Sequence, residues 1–227
     1  MYLMKKLNAL VFTGVIAGTI LLTTPMVSQA EVSSSATLAS MYLWRGLDIS
    51  DNKPAVSGDI TYSHDSGFYA SLWLSSEGTF DNSYESDWTI GFSGSVKDFG
   101  YDVGYYKIWY PELIDSSTGK PQTFGDAAAE AYVGLSYKDF GFKAFLDAKD
   151  DKTYKYYTLS YGYGAFSGTF GIYDDDTNSA DYKHLDLSYA ATDRLSFTVS
   201  KITSMGGGGT LPNPLFMISY SLPVDLK

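Results

Sequence analysis

The residues that invite a chemical reading are few. His184, Asp186 and Ser188 occupy alternate positions, which on a strand puts a base, an orienting acid and a hydroxyl on one face, the ingredients of a hydrolase. Such neighbours are common by chance on strands, and no Gly-x-Ser-x-Gly elbow accompanies them. His64, the other histidine, borders a short turn, and Glu130 has no visible carboxylate partner for glycoside hydrolysis. A hydrolase built on His184 therefore ranks behind non-catalytic readings, and the chain is expected not to be an enzyme. Asp174-Asp175-Asp176-Thr177-Asn178, and Asp147 with Asp150 and Asp151, resemble hard-cation ligands. Neither run has the spacing or terminal Glu of a Ca²⁺ loop, so loose divalent bridging or plain solvation is expected, with no metal site and no cofactor. Gly206 to Gly209 precedes no Lys-Ser or Lys-Thr and no helix, and reads as a loop tip rather than a phosphate cradle.

These residues sit on elements that alternate with period two. Trp88, Ile90, Phe92 and Val96 oppose Asp87, Thr89, Ser93 and Ser95; Leu185, Leu187 and Tyr189 oppose His184, Asp186 and Ser188. This is the strand signal, and no segment sustains helical spacing. Twelve segments are expected near 33–46, 55–64, 68–76, 87–96, 101–110, 127–137, 142–149, 154–163, 166–174, 181–191, 195–203 and 214–224. Most have the roughly 9–11 residues a tilted strand needs to cross a bilayer. Their connections alternate short and long. The short ones include Lys-Asp-Phe-Gly twice, at Lys97 to Gly100 and Lys138 to Gly141, where the Gly is free to take positive φ. An up-and-down meander gathers all short turns at one end and all long loops at the other. The fold expected is therefore all-β: a transmembrane antiparallel barrel of about twelve strands. The registers of the fifth and ninth strands are open; in the fifth a bulge would swap the faces of Lys107 and Ile108.

Composition narrows the class. The 227 residues carry 16 Lys plus Arg against 26 Asp plus Glu, an acidic balance that argues against nucleic acid as partner. With no Cys there is neither a disulfide scaffold nor a thiolate metal site. Lys5 and Lys6, the uncharged Leu7 to Thr24 and the small-residue end Ser28-Gln29-Ala30 read as a signal peptide over residues 1–30, leaving residues 31–227 as the barrel domain. Aromatics gather near strand ends, at Trp44, Tyr62, Phe68, Trp88, Tyr101, Trp109 and Tyr137 among others, where their rings suit the headgroup level. An outer-membrane location follows, with lipid, lipopolysaccharide and the barrel-assembly machinery as partners. A soluble secreted β-protein remains only if the apolar face turns inward.

An outward apolar face assigns the opposite face to the lumen. Pore-lining candidates are Arg45, Asp59, Thr61, Glu130, Tyr132, Lys143, Asp147, His184 and Asp186. Charges there must be hydrated or paired. An open channel needs Arg45 and Glu130 wet; a plugged barrel pairs them. Twelve strands fall between the filled eight-stranded interior and the clear sixteen-stranded channel. The long loops bear an acidic rim, Asp48, Asp51, Glu77, Asp81, Glu85, Asp175 and Asp176, with few bases. Such a rim would concentrate cations, though acidic loops are also often simply solvated. Pro111 to Asp126 is the longest connection and the expected constriction.

Ala36 to Gly46, followed by Ser50 to Ala55, Tyr62-Ser63-His64 and Gly67-Phe68-Tyr69-Ala70, resembles the TorF-type porins, also described as the Gcw_chp bacterial family. Tyr101 to Tyr105, Tyr110-Pro111 and Glu130 to Tyr137 add more generic matches. The resemblance spans nearly all of residues 31–227 and implies an outer-membrane, porin-like barrel. Met41 stands where the family usually has Asp, and the chain ends in Pro223-Val224-Asp225-Leu226-Lys227 rather than in an aromatic, which weakens the assembly signal. The first reading is a passive, weakly cation-preferring channel for ions or small solutes. The second is a closed barrel serving as a structural, adhesive or lipopolysaccharide-contacting surface protein. Nothing in the sequence marks a subunit interface.

Overall fold

The computed structural model describes residues 31–76, 84–116, 118–149, 154–176, 180–208 and 210–224. The expected signal peptide, rim residues Glu77 and Asp81, and the terminal Asp225 to Lys227 lie outside them.

Twelve antiparallel strands close into one barrel. They are β1 (Glu31–Ala39), β2 (Ala55–Ser63), β3 (Phe68–Ser76), β4 (Tyr84–Val96), β5 (Phe99–Trp109), β6 (Ala128–Tyr137), β7 (Phe140–Asp147), β8 (Tyr154–Tyr163), β9 (Phe166–Asp175), β10 (Tyr182–Ala190), β11 (Leu195–Met205) and β12 (Leu215–Pro223). Each pairs with its sequence neighbours, and β1 closes the ring on β12 through Ser35 opposite Pro223 to Ala39 opposite Ser219. Closure satisfies every strand edge, which an open sheet of this size would leave as a template for aggregation.

Alternation fixes the two faces. Leu38, Ile60, Trp88, Ile90, Phe92, Val103, Leu135, Leu159, Leu187 and Ile218 are exposed on the outside. Ser57, Ser160, Thr198, Ser219 and Ser221 are buried within. A continuous apolar exterior on this scale is far beyond the patch a soluble monomer tolerates. The inner wall is closed in places by hydroxyl pairs, Thr37 with Ser221 at 2.5 Å, Ser196 with Ser219 at 2.7 Å and Ser188 with Thr198 at 2.8 Å.

Three expectations change. The first strand stops at Ala39 rather than at Gly46, and Ser40 to Pro54 leaves the wall. β4 starts at Tyr84, three residues early, so Glu85 is a wall residue. In the two Lys-Asp-Phe-Gly turns the left-handed residues are Lys97 (φ 56°) and Lys138 (φ 52°), not the glycines. Val96 pairs with Phe99, and Tyr137 with Phe140. The loop is thus only Lys-Asp, and Phe-Gly already belongs to the next strand. No bulge disturbs β5: Ile108 is buried, and Lys107 faces out to donate to the Phe124 carbonyl at 2.7 Å. The register shift falls instead between Lys183 and His184, in the pairing of β10 with β11.

Candidate functional site

The lumen is filled near its long-loop end by the segment Ser40 to Pro54. Arg45 (φ 49°) and Gly46 (φ 83°) form its tip, where Leu43–Trp44 doubles back onto Leu47–Asp48. Asp48 holds the segment in shape. Its Oδ1 accepts from the Ser50 amide at 2.9 Å and hydroxyl at 2.8 Å, and its Oδ2 from the Asn52 amide at 2.7 Å. The Ser50 hydroxyl in turn accepts from the Tyr42 amide at 2.8 Å. Ala39, Met41 and Leu43 pack on Met217 and Leu215, so Met41 has an apolar setting that an Asp would not suit. Asp48, expected on the rim, is thus an internal brace, whereas Asp51 is exposed.

Arg45 is only 4 % exposed and Glu130 is fully buried. Their Nη2 and Oε2 atoms lie 2.5 Å apart. Tyr106 joins both, accepting from Arg45 Nη2 at 2.9 Å and donating to Glu130 Oε2. The Tyr154 hydroxyl donates to Oε1 at 2.6 Å. Nε and Nη1 of Arg45 meet no acceptor among the described residues. Ring faces surround the guanidinium instead, Tyr156 at 4.3 Å, Trp44 at 4.4 Å and Phe145 at 5.1 Å from its carbon, contacts worth about 2 kcal/mol when desolvated. Arg45 is therefore inside the barrel but does not come from the barrel wall. It hangs from a loop and is paired rather than wet.

Glu85, expected on the rim, faces inward and is 2 % exposed. The hydroxyls of Tyr42 and Tyr110 donate to its two oxygens, each at 2.7 Å. Asp87, two residues along the same face, has a buried Oδ1 with no hydrogen-bond partner. Pro111 to Asp126, the expected constriction, turns outward: the Phe124 ring meets Trp88 and Trp109 edge-on at 6.1 and 5.6 Å. Asp175 ends β9, and Asp176 pairs with Lys155 at 3.1 Å on the surface.

His184 is buried against the plug. Its Nδ1 lies 3.0 Å from Asp186 Oδ1 and its Nε2 2.8 Å from the Tyr156 hydroxyl. Ser188 bonds Thr198 instead, so the base meets a phenol sealed in the core and not the serine. His184 stands directly opposite Gly171, and a side chain at Gly171 would collide with its ring. The same device recurs lower down. Tyr69 faces Gly91 and Tyr132 faces Gly104, and each ring lies flat across its glycine. The two hydroxyls thereby meet, and Tyr69 also donates to Asp102 at 2.7 Å. Lys143 lies 3.3 Å from Asp102. Asp59 accepts from Ser35 on the neighbouring strand, and Asp147 stands opposite Glu130 in register. Tyr42, Tyr69, Asp102, Tyr106, Tyr154 and Tyr156 were not singled out in the sequence. Inward tyrosines placed across from inward glycines are the signal that could have found several of them.

Fold and lumen together define a class: a closed up-and-down β-barrel with an apolar exterior and a polar interior occupied by its own first long loop. Residues 24–201 match a bacterial family described as a protein of unknown function, Gcw_chp. The chain belongs to that family, whose description names no activity. No curated protein matches the chain.

Proposed function

We propose that this chain is an outer-membrane barrel of the TorF-type porin kind, exported by a signal peptide over residues 1–30. It passes ions or small solutes when the Ser40 to Pro54 plug yields. The observation that carries the reading is the closed ring with apolar side chains outward around a hydroxyl- and charge-lined interior. Lipid is the environment in which such an exterior costs nothing. Asp51, Asp175 and Asp176 at the long-loop end favour cations at the mouth. Lipid, lipopolysaccharide and the assembly machinery are the partners this implies. The buried Arg45–Glu130 pair supports a second reading, a permanently closed barrel presenting its loops at the surface.

Single-channel recording across a salt gradient, on protein extracted from outer membranes, separates the two. The channel reading expects rare small steps with a cation-leaning reversal potential, and more frequent opening in Glu130→Gln. Silence in both proteins, each showing heat-shifted gel mobility as a mark of folding, would leave the closed scaffold.

A further inference from the structure

The outer wall differs from flank to flank at the height where its apolar band ends. Lys107 stands eight residues beyond Phe99, Lys155 eight before Tyr163, Lys183 six before Tyr189 and Lys201 six beyond Leu195. Counted from the short turns, these outward side chains share one level. On tilted strands rising about 3.3 Å per residue, that level is ~15–20 Å above the turns, near the top of the roughly 25 Å band that a barrel presents to lipid. Lys149, just past the end of β7, joins them. On β12 and β1 to β4 the same level carries Phe216, Leu38, Val56, Leu74 and Trp88, all exposed. One flank therefore ends in ammonium groups and the other stays apolar. Most of these ammoniums keep their charge uncompensated. Lys107 donates to the Phe124 carbonyl at 2.7 Å, Lys201 to the Pro212 carbonyl at 2.5 Å and Lys149 to the Asp126 carbonyl. A carbonyl takes one of three ammonium protons and cancels none of the charge. Lys183 is exposed and meets no acceptor among the described residues. Lys155 differs: Asp176 pairs with it at 3.1 Å, and Asp174 stands opposite it on β9.

We infer that Lys183 and Lys201, on the outer face of β10 and β11, bind a phosphate of the outer-leaflet glycolipid, whose acyl chains lie on the wall below. Lys201 stands opposite Leu185, two residues along the same face from Lys183, so the two long side chains are diagonal neighbours and reach one anion together. A phosphate monoester carries close to two negative charges and satisfies both ammoniums. Directly beneath them Leu185, Leu187 and Val199 are exposed and apolar, a surface for hydrocarbon. The ligand is thus an anion joined to fatty chains, which a free phosphate is not. Asp175 and Asp176 at the long-loop end repel an anion arriving from solution, whereas a lipid reaches the lysines sideways from within its leaflet. Lys107 and Lys149 repeat the arrangement further round the same flank. The inference rests on the outer-membrane reading above and deepens it: the glycolipid is held by wall lysines rather than through the acidic loops, and holding it requires no conduction.

The test titrates diphosphorylated lipid A, and the same lipid stripped of phosphate, into the delipidated full protein in detergent, with native mass spectrometry counting the bound copies. Saturable binding that needs the phosphates is expected in the parent. K183Q/K201Q raises the Kd by about tenfold or more, the loss expected when two basic side chains leave an anionic lipid. K183R/K201R keeps the affinity, and K97Q/K138Q, which removes two charges at the opposite end, leaves it unchanged. Inorganic phosphate does not displace the lipid, and EDTA does not release it, because the ammoniums make the contact without a divalent bridge. Heat-shifted mobility shows that each variant has folded. Equal binding of the stripped lipid, equal affinity in K183Q/K201Q, an equal loss in K97Q/K138Q, displacement by inorganic phosphate or release by EDTA overturns the site. A parent chain washed from membranes by carbonate removes the outer-membrane reading itself; one that stays in the pellet yet ignores the phosphates removes only the site.

Discussion

At the scale of single residues, the plug depends on one desolvated ion pair. Removing one partner strands a charge that burial has cut off from water. Glu130→Gln is therefore expected to destabilise the barrel by about 3–5 kcal/mol, whereas R45M/E130Q costs less because neither charge remains; denaturant midpoints of the folded band would register the difference. Gly46 is the second sensitive position. Its φ of +83° disfavours any side chain, and a Cβ there would stand 2.6 Å from His184 Cβ and Cγ. Gly46→Ala should push the tip out of the lumen and expose Arg45 to trypsin, yielding a cut after residue 45 that the parent resists. Residue-scale legibility was uneven for a clear reason. Alternation tells which face a strand residue takes, so Glu130, Lys143, His184 and Asp186 could be assigned inward. It says nothing about partners that reach across the lumen. Glu85 went to the rim because Asn82-Ser83-Tyr84-Glu85-Ser86 carries turn-like residues where the strand in fact begins.

At the scale of elements, the strand pattern was readable because period-two apolarity is a direct consequence of a two-faced wall. The plug was legible only as a change of phase. Val32, Ala36 and Leu38 put the apolar face of β1 on even positions, whereas Ala39, Met41 and Leu43 move it to odd ones, and their partners are Met217 and Leu215 inside the barrel. The left-handed Arg45-Gly46 step then turns the segment back, and arginine is not a residue whose type announces it. The Lys-Asp turns carry a related strain. A left-handed non-glycine residue costs roughly 1–2 kcal/mol, part of which glycine would return as chain entropy. Lys138→Gly is accordingly expected to raise the unfolding free energy by up to about 1 kcal/mol, read as a higher denaturant midpoint, while Gly141→Lys, which puts a side chain on the inner face opposite Ser136 and Ser160, lowers it.

At the scale of the whole molecule, alternation, the count of segments and the short–long rhythm of the connections together anticipated a closed ring with its apolar face outward. That face fixes the behaviour of the purified protein. Alkaline carbonate or urea washing should leave the chain with the membrane pellet, detergent should release it, and unheated samples should migrate faster than boiled ones. Recovery in the soluble wash would mean that the exterior is covered by something other than lipid. The seam between β1 and β12 also bears on how wall and contents fit. Ser40 to Pro54 runs straight on from β1, and β12 supplies both the strand that closes on β1 and, through Met217 and Leu215, the surface on which Ala39, Met41 and Leu43 rest. The ring therefore shuts where its filling is anchored, as a clasp closes over the end of its own cord.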